Sequence, residues 1–90
     1  MAAKRLIIQG KVQGVWYRAT ARKMAEELGL TGYVRNLPDG AVEAFVQGRE
    51  DQLMEFEAWC KMGPPLAQVS QVSVATVPED PGYGDFSILR

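Results

Sequence analysis

Apolar and polar residues alternate along several stretches of the chain, and two other stretches carry apolar residues at helical spacing. In residues 5–12 every second position is apolar or small, which predicts a strand with one buried face. An amphipathic helix is predicted next, from apolar residues three and four positions apart at Ala21, Met24, Ala25 and Leu28. Further strands are predicted over 30–36, 41–47, 69–77 and 86–89, and a second helix over 50–62.

Glycine and proline mark the ends of these elements. Gly29 follows the first helical pattern, where a glycine commonly ends a helix. Pro38-Asp39-Gly40 separates two extended runs, which predicts a β-hairpin. Gly63-Pro64-Pro65 ends the second helix, because proline lacks the amide hydrogen that a helix interior needs.

The order β-α-β-β-α-β with a central hairpin predicts an α+β, ferredoxin-like sandwich. In this architecture one antiparallel sheet carries two helices on one face. The other face would display polar and aromatic residues, among them Arg5, Gln9, Tyr33, Arg35 and Glu43. We expect a single domain over residues 1–90, and the initial methionine and full set of elements favour a free-standing protein. Since this scaffold supports many unrelated activities, the fold alone predicts no function.

Composition and charge narrow the possible functions. Ten basic and eleven acidic residues give a net charge of −1, which argues against binding to nucleic acid or to an anionic membrane. A single cysteine cannot form an internal disulfide, so we expect a cytoplasmic protein, and we expect it to be a monomer. No apolar run approaches the roughly 20 residues of a membrane span, and the strand pattern begins too early to leave room for a signal peptide.

The chain contains no histidine, which excludes most familiar hydrolase chemistry. With one cysteine besides, it lacks the usual transition-metal ligands, so we expect neither a metal nor a cofactor.

The segment Gly10-Lys-Val-Gln-Gly-Val-Trp-Tyr-Arg18 joins the first strand to the first helix and has features of an anion-binding loop. Amides at a helix N-terminus have no intrahelical partner, and the positive end of the helix dipole favours an anion. Gly14 permits a positive φ or a close backbone approach to a ligand. Arg18 adds a planar fork of donors that matches phosphate oxygens. On spacing alone, however, an ordinary turn with a solvated Arg18 is the commoner arrangement. We call residues 13–18 the phosphate loop.

A second segment of interest is Gly32-Tyr-Val-Arg-Asn36, which precedes the predicted hairpin turn. Asn36 offers a donor and an acceptor and can orient a water molecule without titrating. Taken alone, an asparagine beside a turn more often bonds its own backbone.

Together the two segments resemble the two signatures of the acylphosphatase family. The first signature corresponds to residues 10–18, and the second to Gly32-Tyr-Val-Arg-Asn-Leu-Pro-Asp-Gly-Ala-Val42 and on to Gly48. The resemblance extends to residues 63–69 and 86–88, and so covers essentially the whole chain. Tyr17 stands where the family most often has phenylalanine, so its added hydroxyl needs a partner or solvent. Leu37 stands where some members carry threonine, so Asn36 must be held differently if that hydroxyl helps to hold it elsewhere.

The resemblance implies an enzyme that hydrolyses the carboxyl–phosphate bond of acyl phosphates, giving a carboxylate and inorganic phosphate, without metal or cofactor. It implies that Arg18 and Asn36 are catalytic: Arg18 binds the phosphoryl group and Asn36 positions the attacking water. The phosphate-binding backbone would come from Gln13, Gly14, Val15, Trp16, Tyr17 and Arg18. The missing histidine fits, because a carboxylate with a pKa near that of glutamate, about 4.3, leaves without a general acid. The phosphate itself could accept the proton of the water.

The remaining notable residues have simpler interpretations. We expect Cys60 to be a core residue, because no histidine is present to activate it, and Phe56 and Trp59 to pack the helix. The pair Glu79-Asp80 is expected in a solvated loop, and Arg35 at the surface, opposite Asn36. Two alternatives stay open for Trp16, which either contacts the acyl group or covers the backbone of the loop.

Three other functions compete with hydrolysis. A nucleic-acid module would need a basic face with exposed aromatics, for which Tyr33 and Phe45 are the only candidates. A non-catalytic regulatory domain would bind a phosphorylated metabolite without turning it over. The chain could also be one domain of a larger carbamoyl-transfer protein, where similar domains occur. The physiological acyl group cannot be read from the sequence.

Overall fold

The computed structural model describes residues 1–89. Its elements are β1 (Ala2–Lys11), α1 (Tyr17–Glu27), β2 (Thr31–Asn36), β3 (Val42–Gly48), α2 (Glu50–Met62), β4 (Gln68–Val77) and β5 (Phe86–Ile88). Their order is the one that the hydrophobic pattern predicts, and α2 has the predicted bounds. The strands form one sheet in the order β4-β1-β3-β2-β5. No helix within these residues is long and apolar enough to cross a membrane.

Four of the five strands pair antiparallel, as predicted. β1 lies between β3 and β4, and β2 pairs with the other side of β3. The short strand β5 instead runs parallel to β2, with Ile88 beside Val34, so the sheet is mixed. The reason is topological: β4 and β5 lie at opposite edges, so the chain crosses the sheet through residues 78–85 before β5 begins.

The hydrophobic core fills the space between the sheet and the two helices. Fully buried Leu6 and Ile8 of β1 pack there with residues of both helices, such as Ala21, Leu53 and Phe56. Each fully buried large apolar side chain contributes about 1.5–3 kcal/mol to folding. Because α1 packs on β2 and β5 while α2 packs on β1, β3 and β4, the N-terminus of α1 is fixed relative to the sheet.

Cys60 and Trp59 belong to this core, which confirms the packing roles predicted for them. Burial raises the pKa of the Cys60 thiol to about 12, so the thiol stays protonated and unreactive at neutral pH.

The face of the sheet turned away from the helices, here called the open face, holds a buried carboxylate. Glu43 lies on this face as predicted, yet it is only 1% exposed. Arg5 and Arg35 each donate from Nε to its carboxylate, and the Tyr33 hydroxyl donates at 3.2 Å. Burial on its own raises the pKa of Glu43, but the two guanidinium groups outweigh it and hold the pKa below its usual value. Arg35 is exposed, as predicted. It also forms an ion pair with the buried Glu43 carboxylate.

Residues 78–85 cover part of the open face. Gln47 donates to the carbonyl of Asp80 at 2.7 Å and accepts from its amide at 2.9 Å. The Tyr83 ring lies over Tyr33 and Phe45, with centroids 5.8 and 5.5 Å away, and Phe45 is buried. The two aromatics that a nucleic-acid module would need are thus packed against this loop, which weakens that alternative.

Candidate active site

The phosphate loop is anchored by buried side chains that alternate with exposed positions. Val12, which directly precedes the loop, and Val15 within it are buried in the core. Gly14 and Trp16, on either side of Val15, are exposed. Gly14 has φ 73°, so of the two uses predicted for this glycine the structure shows the positive φ. A Cβ atom at Gly14 would meet nothing within 4 Å, so glycine is required here by the backbone conformation and not by crowding.

The N-terminus of α1 carries no compensating group of its own. Trp16 occupies the N-cap position without a side-chain cap, and the first turn has no acidic residue. By contrast, α2 begins with Glu50 and Asp51, which offset the positive end of its helix dipole. In one chain, therefore, one helix neutralises its N-terminus and the other leaves it available to an external anion.

A pocket of about 560 Å³ opens at this helix terminus. Its lining residues are Val12, Gly14, Trp16, Tyr17, Arg18, Ala19 and Ile88. Within residues 1–89 the Arg18 guanidinium has neither an ion pair nor a side-chain hydrogen bond, so its donors are available to a ligand. Since one water molecule occupies about 30 Å³ of liquid, the pocket has room for a phosphoryl group and more.

Tyr17 connects the phosphate loop to the core. Its side chain is 1% exposed, its hydroxyl donates to the carbonyl of Cys60 at 2.7 Å, and its ring centroid lies 5.2 Å from that of Trp59. The hydroxyl that distinguishes it from phenylalanine therefore has the partner that its position requires. Burial raises the pKa of this hydroxyl, so it remains a hydrogen-bond donor.

The side chain of Gln13 ties the phosphate loop to the β2–β3 hairpin. Its amide nitrogen donates to the carbonyl oxygens of Leu37 and Ala41, each at 2.8 Å. The same hairpin is closed by a hydrogen bond from the Leu37 amide to the Ala41 carbonyl, also 2.8 Å long. The sequence led us to assign only backbone binding to Gln13, because nothing in linear spacing reveals carbonyls 24 and 28 residues away.

Asn36 is the last residue of β2, and it lies at the same end of the sheet as the last residues of β1. Both strands run antiparallel to β3, where Val42 pairs with Asn36 on one side and Ile8 on the other. Alternation from buried Val34 turns the Asn36 side chain towards the helices. Its Oδ1 is buried and has no hydrogen-bond partner within residues 1–89. Such an atom costs about 1–3 kcal/mol and remains a ready acceptor.

The backbone of Leu37, the residue that stands where some family members carry threonine, is held on both sides. Its amide donates to Ala41 and its carbonyl accepts from Gln13, so the residue after Asn36 is fixed on both sides.

The structure thus divides the predicted site residues into two neighbouring groups. Gly14, Trp16, Tyr17 and Arg18 line the pocket, whereas Val15 points into the core as an anchor. Gln13 and Asn36 do not line the pocket. The Gln13 side chain bonds the hairpin at Leu37 and Ala41, and Asn36 directly precedes Leu37 in the chain. The described part of the chain contains no group of three or more potential metal ligands among histidine, cysteine, aspartate and glutamate.

Comparison with known proteins identifies the family. The model of the acylphosphatase family matches residues 4–88. The chain belongs to the acylphosphatase family. It is 47% identical over 85 residues to an acylphosphatase from Methylococcus capsulatus, an alignment that covers 94% of this chain and 92% of that relative.

Solved structures agree with this assignment. The crystal structure of acylphosphatase from Bacillus subtilis superposes with a TM-score of 0.95 at 36% identity, and the match covers 100% of both chains. Full-length HypF also contains this fold, with a TM-score of 0.87 and 28% identity over 99% of this chain, but the match covers only 12% of HypF. The ferredoxin-like acylphosphatase fold therefore also occurs as a small part of a much longer chain.

Proposed function

We propose that this acylphosphatase hydrolyses the carboxyl–phosphate bond of acyl phosphates by direct attack of water, with Arg18 and Asn36 as its catalytic residues and without metal or cofactor. The observation that carries the proposal is the N-terminus of α1, which has no acidic residue in its first turn and opens onto a pocket beside Arg18, whose guanidinium has no ion pair within residues 1–89.

The phosphoryl group binds to the phosphate loop. Backbone amides of Gln13 to Arg18 face its oxygens, and the Arg18 guanidinium donates two parallel hydrogen bonds to them. The backbone donors are fixed before substrate arrives, because Val15 and Tyr17 anchor the loop in the core. Donors that need no reorganisation stabilise the charge that the transition state spreads over the phosphoryl oxygens.

Asn36 orients the attacking water. Its buried Oδ1 accepts a hydrogen bond from the water, whose oxygen is then directed at phosphorus. The Gln13 side chain fixes the distance between this residue and the phosphate loop, since it bonds the backbone of the adjacent Leu37. Positioning of this kind supplies a large part of the rate enhancement in phosphoryl transfer.

The reaction requires no general acid. Water oxygen forms a bond to phosphorus while the bridging P–O bond breaks, and the electron pair leaves with the carboxylate. A carboxylate with a pKa of about 4.3 departs unprotonated, and a phosphoryl oxygen takes the proton of the water. This division of labour suits a chain without histidine.

We further propose that residues 1–90 form a single domain and that the protein is a cytoplasmic monomer. Its small-molecule partners are then an acyl phosphate and inorganic phosphate, and it binds neither nucleic acid nor membrane. The family model, which matches residues 4–88, supports the single domain, and the net charge of −1 argues against nucleic-acid and membrane partners.

The test is phosphate release from acetyl phosphate and benzoyl phosphate in excess EDTA, with p-nitrophenyl phosphate as an ester control. We expect hydrolysis of both acyl phosphates at an undiminished rate and little hydrolysis of the ester. Activity that EDTA abolishes and Mg²⁺ restores would overturn the metal-free mechanism. Binding of phosphate without release from either acyl phosphate would identify a regulatory domain instead.

A further inference from the structure

Trp16 is held in a position that does not serve folding. Its side chain is 75% exposed, although Val15 and Tyr17 on either side are buried. Its φ of 68° makes it the only non-glycine residue within 1–89 in the left-handed region. Exposure of an indole and a left-handed backbone both oppose stability, and backbone strain of this kind is concentrated at functional sites.

The strained conformation is locked by the first turn of α1. The Trp16 carbonyl accepts from the Thr20 amide at 3.1 Å and from the Thr20 hydroxyl at 2.8 Å. The peptide plane is thereby fixed, and the side chain leaves the loop on the side of the pocket, which it lines together with Arg18. An indole that covered the loop backbone would lose most of its accessible surface, so 75% exposure argues against that alternative.

We propose that Trp16 is a specificity-determining residue that contacts the acyl end of the substrate and favours aromatic or bulky apolar acyl groups over acetyl. This inference rests on the proposed hydrolysis of acyl phosphates. Once the phosphoryl group occupies the helix terminus, the acyl group must extend into the rest of the pocket. The apolar side chains with accessible surface there are those of Trp16, Ala19 and Ile88. A flat ring stacks on an indole far better than a methyl group does.

The test compares kcat/KM for benzoyl phosphate and acetyl phosphate in Trp16→Asn and Trp16→Phe. Asparagine tolerates the left-handed conformation, so the loop keeps its geometry while the aromatic surface is lost. We expect wild type to prefer benzoyl phosphate by about tenfold, Trp16→Phe to keep most of this preference, and Trp16→Asn to lose it. Acetyl phosphate serves as the internal reference, because general damage to the loop cancels in the ratio.

Leu66→Asn is the matched control, since Leu66 is 64% exposed and does not line the pocket. In Leu66→Asn the ratio of kcat/KM for benzoyl phosphate to kcat/KM for acetyl phosphate should equal that of wild type. A binding readout uses phenacylphosphonate and acetonylphosphonate, in which a methylene replaces the bridging oxygen and prevents hydrolysis. The ratio of their inhibition constants should fall about tenfold in Trp16→Asn.

The outcomes separate this inference from the proposed function. If wild type hydrolyses neither acyl phosphate, the proposed function fails and the inference fails with it. If both are hydrolysed and neither ratio changes in Trp16→Asn, the function stands and the role of Trp16 is refuted.

Discussion

Replacing Gln13 with methionine tests whether the phosphate loop and the Asn36 hairpin act as one unit. Methionine has a similar length but no amide, so the substitution removes two hydrogen bonds of 2.8 Å, to Leu37 and Ala41. At about 1 kcal/mol each, their loss lowers the free energy of unfolding by about 2 kcal/mol. For a domain of this size that corresponds to a fall in Tm of about 10 °C. Both carbonyls keep one backbone partner, so the hairpin itself should persist.

The larger effect should appear in catalysis. A shift of about 1 Å between Arg18 and Asn36 can cost a hundredfold in rate, so we expect kcat/KM for benzoyl phosphate to fall by about tenfold to a hundredfold.

Gln47→Met is the control, because the Gln47 side chain also makes two hydrogen bonds, to the backbone of Asp80, on the open face. It should lose a similar amount of stability while kcat/KM stays at the wild-type value. Equal kinetic losses in the two variants, or none in Gln13→Met, would refute the idea that Gln13 sets the geometry of the site.

Three further outcomes are expected. Asn36→Ala should lower kcat strongly and change KM only a few-fold, because an oriented water acts on the transition state; steady-state kinetics decide. Inorganic phosphate should inhibit competitively, and purely noncompetitive inhibition would place the anion elsewhere. The folded pKa of Glu43 is depressed, so its stabilisation is present above the unfolded pKa and is lost as pH falls through the folded value. Thermal melts between pH 7 and 3 should show a flatter acid limb for Glu43→Gln.

The features that the sequence predicted correctly are mostly those encoded by residues close to one another in the chain. Hydrophobic period and turn residues predicted every strand and both helices, since each signal lies within a few neighbouring residues. The positive φ of Gly14, one of the two uses predicted for that glycine, is equally local, whereas the core role of Cys60 was predicted from the absence of histidine in the chain.

Features that depend on distant residues were missed. The ion pairs of Glu43 join three strands, with partners 38 and 8 residues away, and the hydrogen bonds of Gln13 reach the hairpin. The parallel direction of β5 follows from the edge at which it docks, which no local pattern encodes. The left-handed conformation of Trp16 was also unforeseen, because tryptophan has no intrinsic preference for it.

The most direct test of the central proposal is kcat/KM of Arg18→Lys measured beside its Tm. Lysine keeps the positive charge but cannot reproduce the two-donor fork. Loss of one preorganised donor costs about 3 kcal/mol, which is a hundredfold or more in rate. We expect that loss in a variant whose Tm lies close to that of wild type, because Arg18 is not a core residue. A folded Arg18→Lys protein with near wild-type turnover would show that Arg18 is only a surface charge, and would contradict the assignment of the phosphate site.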